Sequence, residues 1–417
     1  MKALTFLGTG EYKDAIYHYN GQDAQSTKFF PVALCELQPK GKIDEFLVVV
    51  TKESKDKWFS KLEESFGKFG VNVTPVEIPS THSVEDLWTI FFKITDQLPE
   101  NDEVIFDITH SFRTLPFLAF LAAAYLITAK KVVIKGLFYG AFDAGQGQEP
   151  KRVPVFDLTP FLDLLKWITA TDKFLTTGYS KDLGGLLGEI AERRRDQLRS
   201  DPAANQFRPI SKLKRLGKDL KELSDALSLN RPKAIKEKAE SLNETLGDQY
   251  LIAAVEQLAP PAKLLLNKIA DQFEPFVSDD LDAHRRLIHW YVQNEQFVQG
   301  YALIREWIIS YICKKAGSEI YEQKHRERIE KAISLLAMPD RNVDNSEPSS
   351  RDVQEILEFC KSLKYIDKLV KLWQDVSGLR NDVMHFGFRP NASKPATLIE
   401  SIKKFNLRIQ SIDVDND

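Results

Sequence analysis

Strand-like and helix-like segments alternate over residues 1–165, and after about residue 161 no strand signal survives. That change of rhythm restricts the chain to an α/β unit followed by all-α material. Residues 3–8 form a continuous apolar run, and 46–50 is apolar and β-branched between charges. Residues 71–78, 103–109 and 131–139 repeat the strand pattern. Residues 26–37, 55–69, 83–98 and 113–128 carry helical spacing, with Ser83 as a cap and Asp86 in the first turn of the third helix. The alternation predicts a mostly parallel, doubly wound, Rossmann-like sheet with helices on both faces. Residues 140–152 read as a loop and 153–158 as an edge strand, and Thr159 with Pro160 starts the next helix.

Residues 161–175 are amphipathic and read as a helix leaving the sheet. A helical region, 166–280, follows, with breaks at Pro202, Pro232 and Pro260–Pro261. A last helical block, 281–417, contains runs at 284–315, 323–336, 353–363, 365–384 and 396–412, with a polar loop at 340–350. Helices of this number and length make a compact bundle.

At 417 residues the chain is long enough for two or three cores, and its net charge of −3 argues against a nucleic-acid coat protein. Residues 1–165 carry 17 Lys and Arg against 22 Asp and Glu, whereas 166–250 carry 17 against 13. The basic run from Arg193 to Lys221 reads first as a solvated helical face and second as an electropositive wall for a phosphodiester chain. Cys35, Cys313 and Cys360 are far apart and read as reduced core residues. The N-terminal apolar run is too short for a signal peptide, and the apolar stretch 117–128 is too short to span a bilayer. No membrane association and a cytoplasmic location are expected.

Two segments stand at the carboxyl ends of predicted strands. One is Gly8, Thr9, Gly10, Glu11 and Tyr12; the other runs from Asp107 through Thr109, His110 and Ser111 to Arg113. Ligands of open parallel sheets bind beyond the strand carboxyl ends where strand order reverses, so a topology pairing strands one and four makes these one pocket. The glycines admit a close backbone approach, and Thr9, Thr109 and Ser111 offer hydroxyls. His110 and Arg113 add imidazole and guanidinium at a helix start, which suits a phosphate-containing ligand. The dinucleotide fingerprint GxGxxG is absent, so a nicotinamide cofactor is not expected.

Near the end of the chain Arg380, Asn381 and His385 suit metal-free cleavage of RNA. An imidazole moves protons near neutrality, and a guanidinium holds charge on a scissile phosphate. Five positions on a helix rotate by about 500°, leaving Arg380 and His385 about 140° apart, so one straight helix cannot aim both at one phosphate. Either the helix ends near His385, as residues 386–390 suggest, or copies from two subunits face each other across a two-fold axis.

In order and spacing, the Gly8–Tyr12 segment, the Asp107–Arg113 segment and the C-terminal Arg380, Asn381 and His385 resemble the CARF–HEPN ribonucleases of type III CRISPR systems. The resemblance covers roughly 1–165 and 281–412. It implies an N-terminal CARF sensor of a cyclic oligoadenylate, a C-terminal HEPN nuclease, and metal-independent cleavage of single-stranded RNA switched on by the bound ring. It assigns Thr9, Gly10, Asp107, Thr109, His110, Ser111 and Arg113 to the ligand pocket, with Gly8 and Tyr12 in the same segment. Arg380 and His385 become the catalytic pair, with Asn381 as their polar neighbour. Ser111 stands where relatives often have glycine. No cofactor or metal is implied; the activator is a ring with an even number of nucleotides, tetra-adenylate before hexa-adenylate. A homodimer or higher even-numbered oligomer is the expected assembly.

Other features carry less. His284 and His289 lack a third zinc ligand. Glu306 is expected to pair with an arginine, Arg380 among the candidates, and Tyr301, Trp307 and Tyr311 read as core or dimer seam. Two alternatives to the leading reading stand: a CARF domain that also cleaves its ring, and a non-catalytic nucleotide-responsive nucleic-acid-binding regulator.

Overall fold

The computed structural model describes residues 1–417 except 39–40, 81–82, 111–113, 200–206, 279, 339–349, 389 and 415–417. The loop expected at 340–350 therefore lies outside the described residues, apart from Ser350, which opens a helix. The chain divides into two compact units, Met1–Lys166 and Trp167–Asp417, and is 64% helical.

The first unit contains β1 (Lys2–Leu7), β2 (Ala15–Tyr19), β3 (Gln22–Asp23), α1 (Phe30–Leu37) and β4 (Glu45–Val50). Next come α2 (Lys52–Ser54), a π turn (Lys55–Phe59), α3 (Ser60–Phe66), β5 (Asn72–Glu77), α4 (Val84–Thr95) and β6 (Glu103–Asp107). α5 (Leu115–Ala129), β7 (Val133–Gly140) and β8 (Lys151–Asp157) complete it, and α6 (Thr159–Thr177) starts in it. The strand order is β3-β2-β8-β7-β6-β1-β4-β5. Five neighbouring pairs are parallel; β7–β8 and β2–β3 are antiparallel. The mostly parallel, doubly wound sheet is thus as predicted. β1 and β4 read as unbroken apolar runs because both of their faces are covered. One face packs on α1 and the α2–α3 segment through Phe30, Leu34, Trp58 and Leu62; the other packs on α4 and α5 through Ile90, Ile94, Ala119 and Ala123.

Four local readings need correction. β8 is not an edge strand, because β2 pairs along its outer side. β2 and β3 escaped notice: two short strands, partly exposed, are bridged by Asn20 and Gly21, both at positive φ. The helix expected over 26–37 starts only at Phe30, because Thr27 is taken into a bridge with Ala15. The loop at 140–152 includes a 3₁₀ turn over Phe142–Ala144, and β8 begins within it at Lys151. Ser83 does cap α4, in a reciprocal box with Asp86.

The second unit holds the rest of α6, then α7 (Lys181–Arg199), α8 (Phe207–Ser228), α9 (Pro232–Leu246), α10 (Gln249–Leu258) and α11 (Lys263–Phe273). α12 (Leu281–Gln293), α13 (Phe297–Lys315), α14 (Gln323–Ala337), α15 (Ser350–Ser362), α16 (Ile366–Met384) and α17 (Pro395–Gln410) follow. One apolar core runs from Trp167 to Val414, with Tyr301, Trp307 and Tyr311 fully inside it. The single run expected over 284–315 is two helices. Asn294 folds its amide back to the Trp290 carbonyl, Glu295 takes φ +56°, and the Gln296 N–H returns to the Tyr291 carbonyl. Pro232 starts α9 at its first position, where a missing N–H is harmless. All three cysteines are buried and unbonded. Among the described residues no helix is long and apolar enough to cross a membrane.

Candidate functional site

β1 and β6 lie side by side and parallel, with Lys2 opposite Val104 and Leu4 opposite Phe106. After β1 the chain visits β2 and β3 at the far edge, comes back to β4 beside β1, continues outward to β5, and then crosses to β6 on the other side of β1. The order therefore reverses between the two strands whose carboxyl ends carry the predicted segments, the place where open parallel sheets take their ligands.

The first segment is a tight loop closed by Tyr12. Its phenol oxygen accepts from Gly8 N at 2.7 Å and donates to the Gly8 carbonyl at 3.1 Å, and burial pushes the phenol up to about 12. The Tyr12 ring packs among Phe29, Trp58 and His110 at centroid distances of 5.5, 5.1 and 4.5 Å. Thr9 and Gly10 are left toward the surface, and a Cβ built on Gly10 would meet no atom within 4 Å. That open side admits a ligand to the backbone.

The second segment braces the crevice from beneath. Asp107 is fully buried; its carboxylate accepts from Thr5 Oγ1 at 2.6 Å and from Thr109 N at 2.8 Å, and burial raises it to about 6. Thr109 Oγ1 accepts from Gly140 N at 2.8 Å, tying the β6 turn to the end of β7. His110 Nε2 accepts from Phe30 N at 3.1 Å, so that nitrogen carries no proton; the packing around the ring lowers its pKa to about 4. His110 is consequently neutral near pH 7 and brings no charge to this end of the sheet. Ser111 and Arg113 lie outside the described residues. No side chain caps the start of α5, where Pro116 removes one N–H.

Sequence reasoning missed the π turn. Its Lys57 donates to the Thr9 carbonyl at 2.9 Å and pairs with Glu11 at 2.7 Å, while Trp58 Nε1 donates to the Gly10 carbonyl at 2.9 Å. Lys61 lies over the Trp58 ring, its Nζ 4.7 Å from the centroid. These two exposed lysines bring positive charge to the loop. The only hint in the chain was a tryptophan flanked by lysines at i−1 and i+3, after the capping pair Thr51 and Ser54.

The second predicted group, Arg380, Asn381 and His385, lies at the end of α16. This helix buries Leu369, Leu372, Trp373 and Val376 and carries Arg380 half-buried near its last turn. Arg380 Nη1 donates to Asn381 Oδ1 at 3.3 Å, whereas its Nε is buried and makes no hydrogen bond. Among the described residues no carboxylate pairs with this guanidinium. His385 is exposed and is the C-cap; its N–H reaches the Asn381 carbonyl at 2.9 Å. The helix stops there, as the residues after His385 predict. Phe386 and Gly387 take φ +55° and +69°, and Gly387 N donates to the Asp382 carbonyl at 2.9 Å. Asp382, almost wholly buried, accepts from Ser393 N at 2.6 Å and so pins the returning segment.

Glu306 does not reach Arg380. It takes Arg305 at 2.9 Å and Arg326 at 2.6 Å, while Arg305 also pairs with Glu330 and stacks over Trp373 of α16. The local reason is helical adjacency: Arg305 is next in sequence, and α14 brings Arg326 alongside. His289 shares a contact with Asn406 at 3.1 Å, and no group of three or more potential ligand side chains that could hold a metal ion occurs among the described residues. The basic run is laced with acidic partners: Lys212 with Asp248, Lys214 with Glu192, and Arg215 with Asp219 and Glu244. This matches the solvated-face reading.

Residues 2–143 match the family model of the CARF domain of the CRISPR system endoribonuclease Csx1. Residues 163–278 match the second domain of the CRISPR-associated protein MJ1674. The MJ1674 protein of Methanocaldococcus jannaschii is itself 23% identical over 237 residues, which is 55% of this chain and 32% of the relative. The match thus spans about a third of that relative's length. The Rossmann-like sheet that switches direction between β1 and β6 is the part that carries the first match, so the N-terminal unit is similar to the CARF domains of CRISPR-associated proteins.

Proposed function

We propose that this protein is an endoribonuclease of type III CRISPR defence, switched on by a cyclic oligoadenylate bound at the β1–β6 crevice. The observation that carries the nuclease half is the end of α16, where Arg380 has a buried Nε without a partner beside the exposed Asn381 and His385. A guanidinium held by the fold yet unpaired with any described carboxylate is set up to receive an anion from outside.

In the proposed reaction the 2′-hydroxyl of single-stranded RNA gives up its proton to water and attacks the adjacent phosphorus. The bond to the 5′-oxygen of the next nucleotide breaks and a 2′,3′-cyclic phosphate forms. His385 delivers a proton to the leaving oxygen, and Arg380 stabilises the charge on the pentacoordinate phosphorus. Asn381 orients the guanidinium through its 3.3 Å contact. No step in this scheme calls on a metal ion. Activation requires the ring to bind the active arrangement more tightly than the resting one.

Two copies complete the active particle. α5 is apolar on every side; Ala119, Ala122 and Ala123 face the sheet, while Phe117, Leu121 and Tyr125 stay open to solvent. With Val84, Trp88 and Phe92 of α4 they line an apolar groove of about 890 Å³. A helix of that composition is normally covered on all sides. α5 begins directly after residues 111–113, so a second copy seated on this face would bring two crevices together around a two-fold ring.

The test is incubation of labelled single-stranded RNA with the protein in EDTA, with and without cyclic tetra- or hexa-adenylate. Cleavage to 2′,3′-cyclic phosphate ends only when the ring is present is the expected result. Equal cleavage without the ring would remove the switch, and no cleavage under any condition would remove the nuclease.

A further inference from the structure

We infer that Phe386 and Phe388 are substrate-positioning residues on which unpaired RNA bases stack beside the scissile linkage. This inference rests on the nuclease reading of α16.

The helix ends in an unfavourable way for its sequence. The left-handed position after a helix C-cap is normally filled by glycine, because a Cβ there crowds the backbone. Here Phe386 occupies it at φ +55°, and the glycine comes one residue later at +69°. The other described non-glycine residues at positive φ are Asn, Gln, Lys or Glu; Phe386 is the one aromatic among them. Three backbone hydrogen bonds hold it there: Phe386 N to the Val383 carbonyl, Gly387 N to that of Asp382, and Phe388 N to that of His385. Strain held in place by such surroundings is a mark of a working site.

The fold gains no burial in return. Phe386 is 82% exposed and Phe388 91%, more than any other aromatic side chain described as exposed. Their surroundings decide what they meet. Asn381, His385 and Asn391 are exposed polar neighbours in the chain, and the apolar ones, Pro390 and Ala392, are small, so the two rings are the large apolar faces of this segment. A protein partner needs a contiguous apolar patch at its core, as the α4–α5 groove supplies; a nucleobase needs one ring face. The rings follow His385 by one and three residues, the reach of a nucleotide on either side of the attacked phosphate. Stacking demands splayed bases, so these two residues also make the site select single strands.

The experiment measures binding, so it reads out whether or not RNA is cut. The probe is a short fluorescein-labelled, 2′-O-methyl single-stranded RNA and its abasic counterpart, followed by anisotropy on the full-length protein with cyclic tetra-adenylate. Phe388→Ala is expected to weaken the base-bearing RNA about ten-fold and the abasic strand hardly at all; Phe388→Trp restores binding and Phe388→Leu does not. Phe386→Gly relieves the left-handed strain, so it loses RNA affinity without lowering the melting temperature. Equal losses on both strands, or no loss, would overturn the inference. So would a fall of Phe388→Ala from dimer to monomer in light scattering, which would make the rings a seam between copies. His385→Ala binding the RNA normally but not cutting its 2′-hydroxyl form tests the nuclease reading separately.

Discussion

Phe30 donates its backbone N–H to His110 Nε2 at 3.1 Å, joining the start of α1 to the end of β6 across 80 residues of chain. The bond works only with that nitrogen unprotonated. Three residues earlier, Asp107 is held buried between Thr5 and the Thr109 N–H. The crevice floor thus contains two groups that folding shifts in opposite directions.

Their titrations predict opposite responses to acid. Asp107, raised to about 6, keeps its proton in the folded chain where the unfolded chain has released it. Its contribution to stability is full below about pH 4 and fades as pH rises through 6. His110, lowered to about 4, contributes above about pH 6.5 and loses that contribution as pH falls toward 4. Relative to wild type, Asp107→Asn should melt progressively lower on acidification from 6.5 to 4, and His110→Gln progressively higher. Melting curves across that window decide it; parallel shifts for both variants would refute the opposed pair.

At the end of α16, His385→Ala should cut single-turnover RNA cleavage by about 10²- to 10⁴-fold and Arg380→Ala by about 10²- to 10³-fold. Arg380→Lys should not restore the rate, because an ammonium cannot reproduce the planar fork. Ring binding should be untouched in all three. Wild-type turnover in His385→Ala would take the histidine out of the chemistry.

Trp58→Phe removes the donor that fixes the Gly10 carbonyl. Calorimetry should show about five- to ten-fold weaker binding of cyclic tetra-adenylate, with a melting temperature a few degrees lower. Lys57→Ala should weaken binding too, and more at low salt than at high. An unchanged affinity in both would place the ring elsewhere.

Phe117→Glu and Trp88→Glu place charges on the open face of α5 and α4. Light scattering should find monomers, and RNA cleavage should vanish although circular dichroism keeps the wild-type helix content. A dimer that survives both substitutions would move the seam to another surface.

How much of this was legible varies with where the information sits. β1 and β4 declared themselves because strands covered on both faces are apolar without interruption. The pairing of β1 with β6 entered the sequence reading only as a condition, because helices between parallel strands narrow the topologies without choosing among them. β2 was hidden: its register is set by β8, more than 130 residues away, and nothing local in Ala15–Tyr19 announces it. The break between α12 and α13 rests on the backbone of one glutamate, which spacing of apolar residues cannot reveal. The partners of Glu306 depended on which arginine the packing of α14 delivers. Lys57 and Trp58 were missed because helical spacing over 55–69 looks regular, and the widened turn inside it leaves no mark on composition.

That widened turn has a consequence of its own. An i→i+5 turn takes up one residue more than a regular helix, so everything upstream of it is rotated by about 100° relative to everything downstream. Thr51 and Ser54 can therefore lock the segment to β4 while Trp58 and Leu62 still point into the sheet's core. Removing Asp56 from this turn would bring the two halves into a single phase, satisfying one anchor only by unseating the other. The Thr9–Gly10 backbone would then lose its clamp even though every residue that touches it was still present.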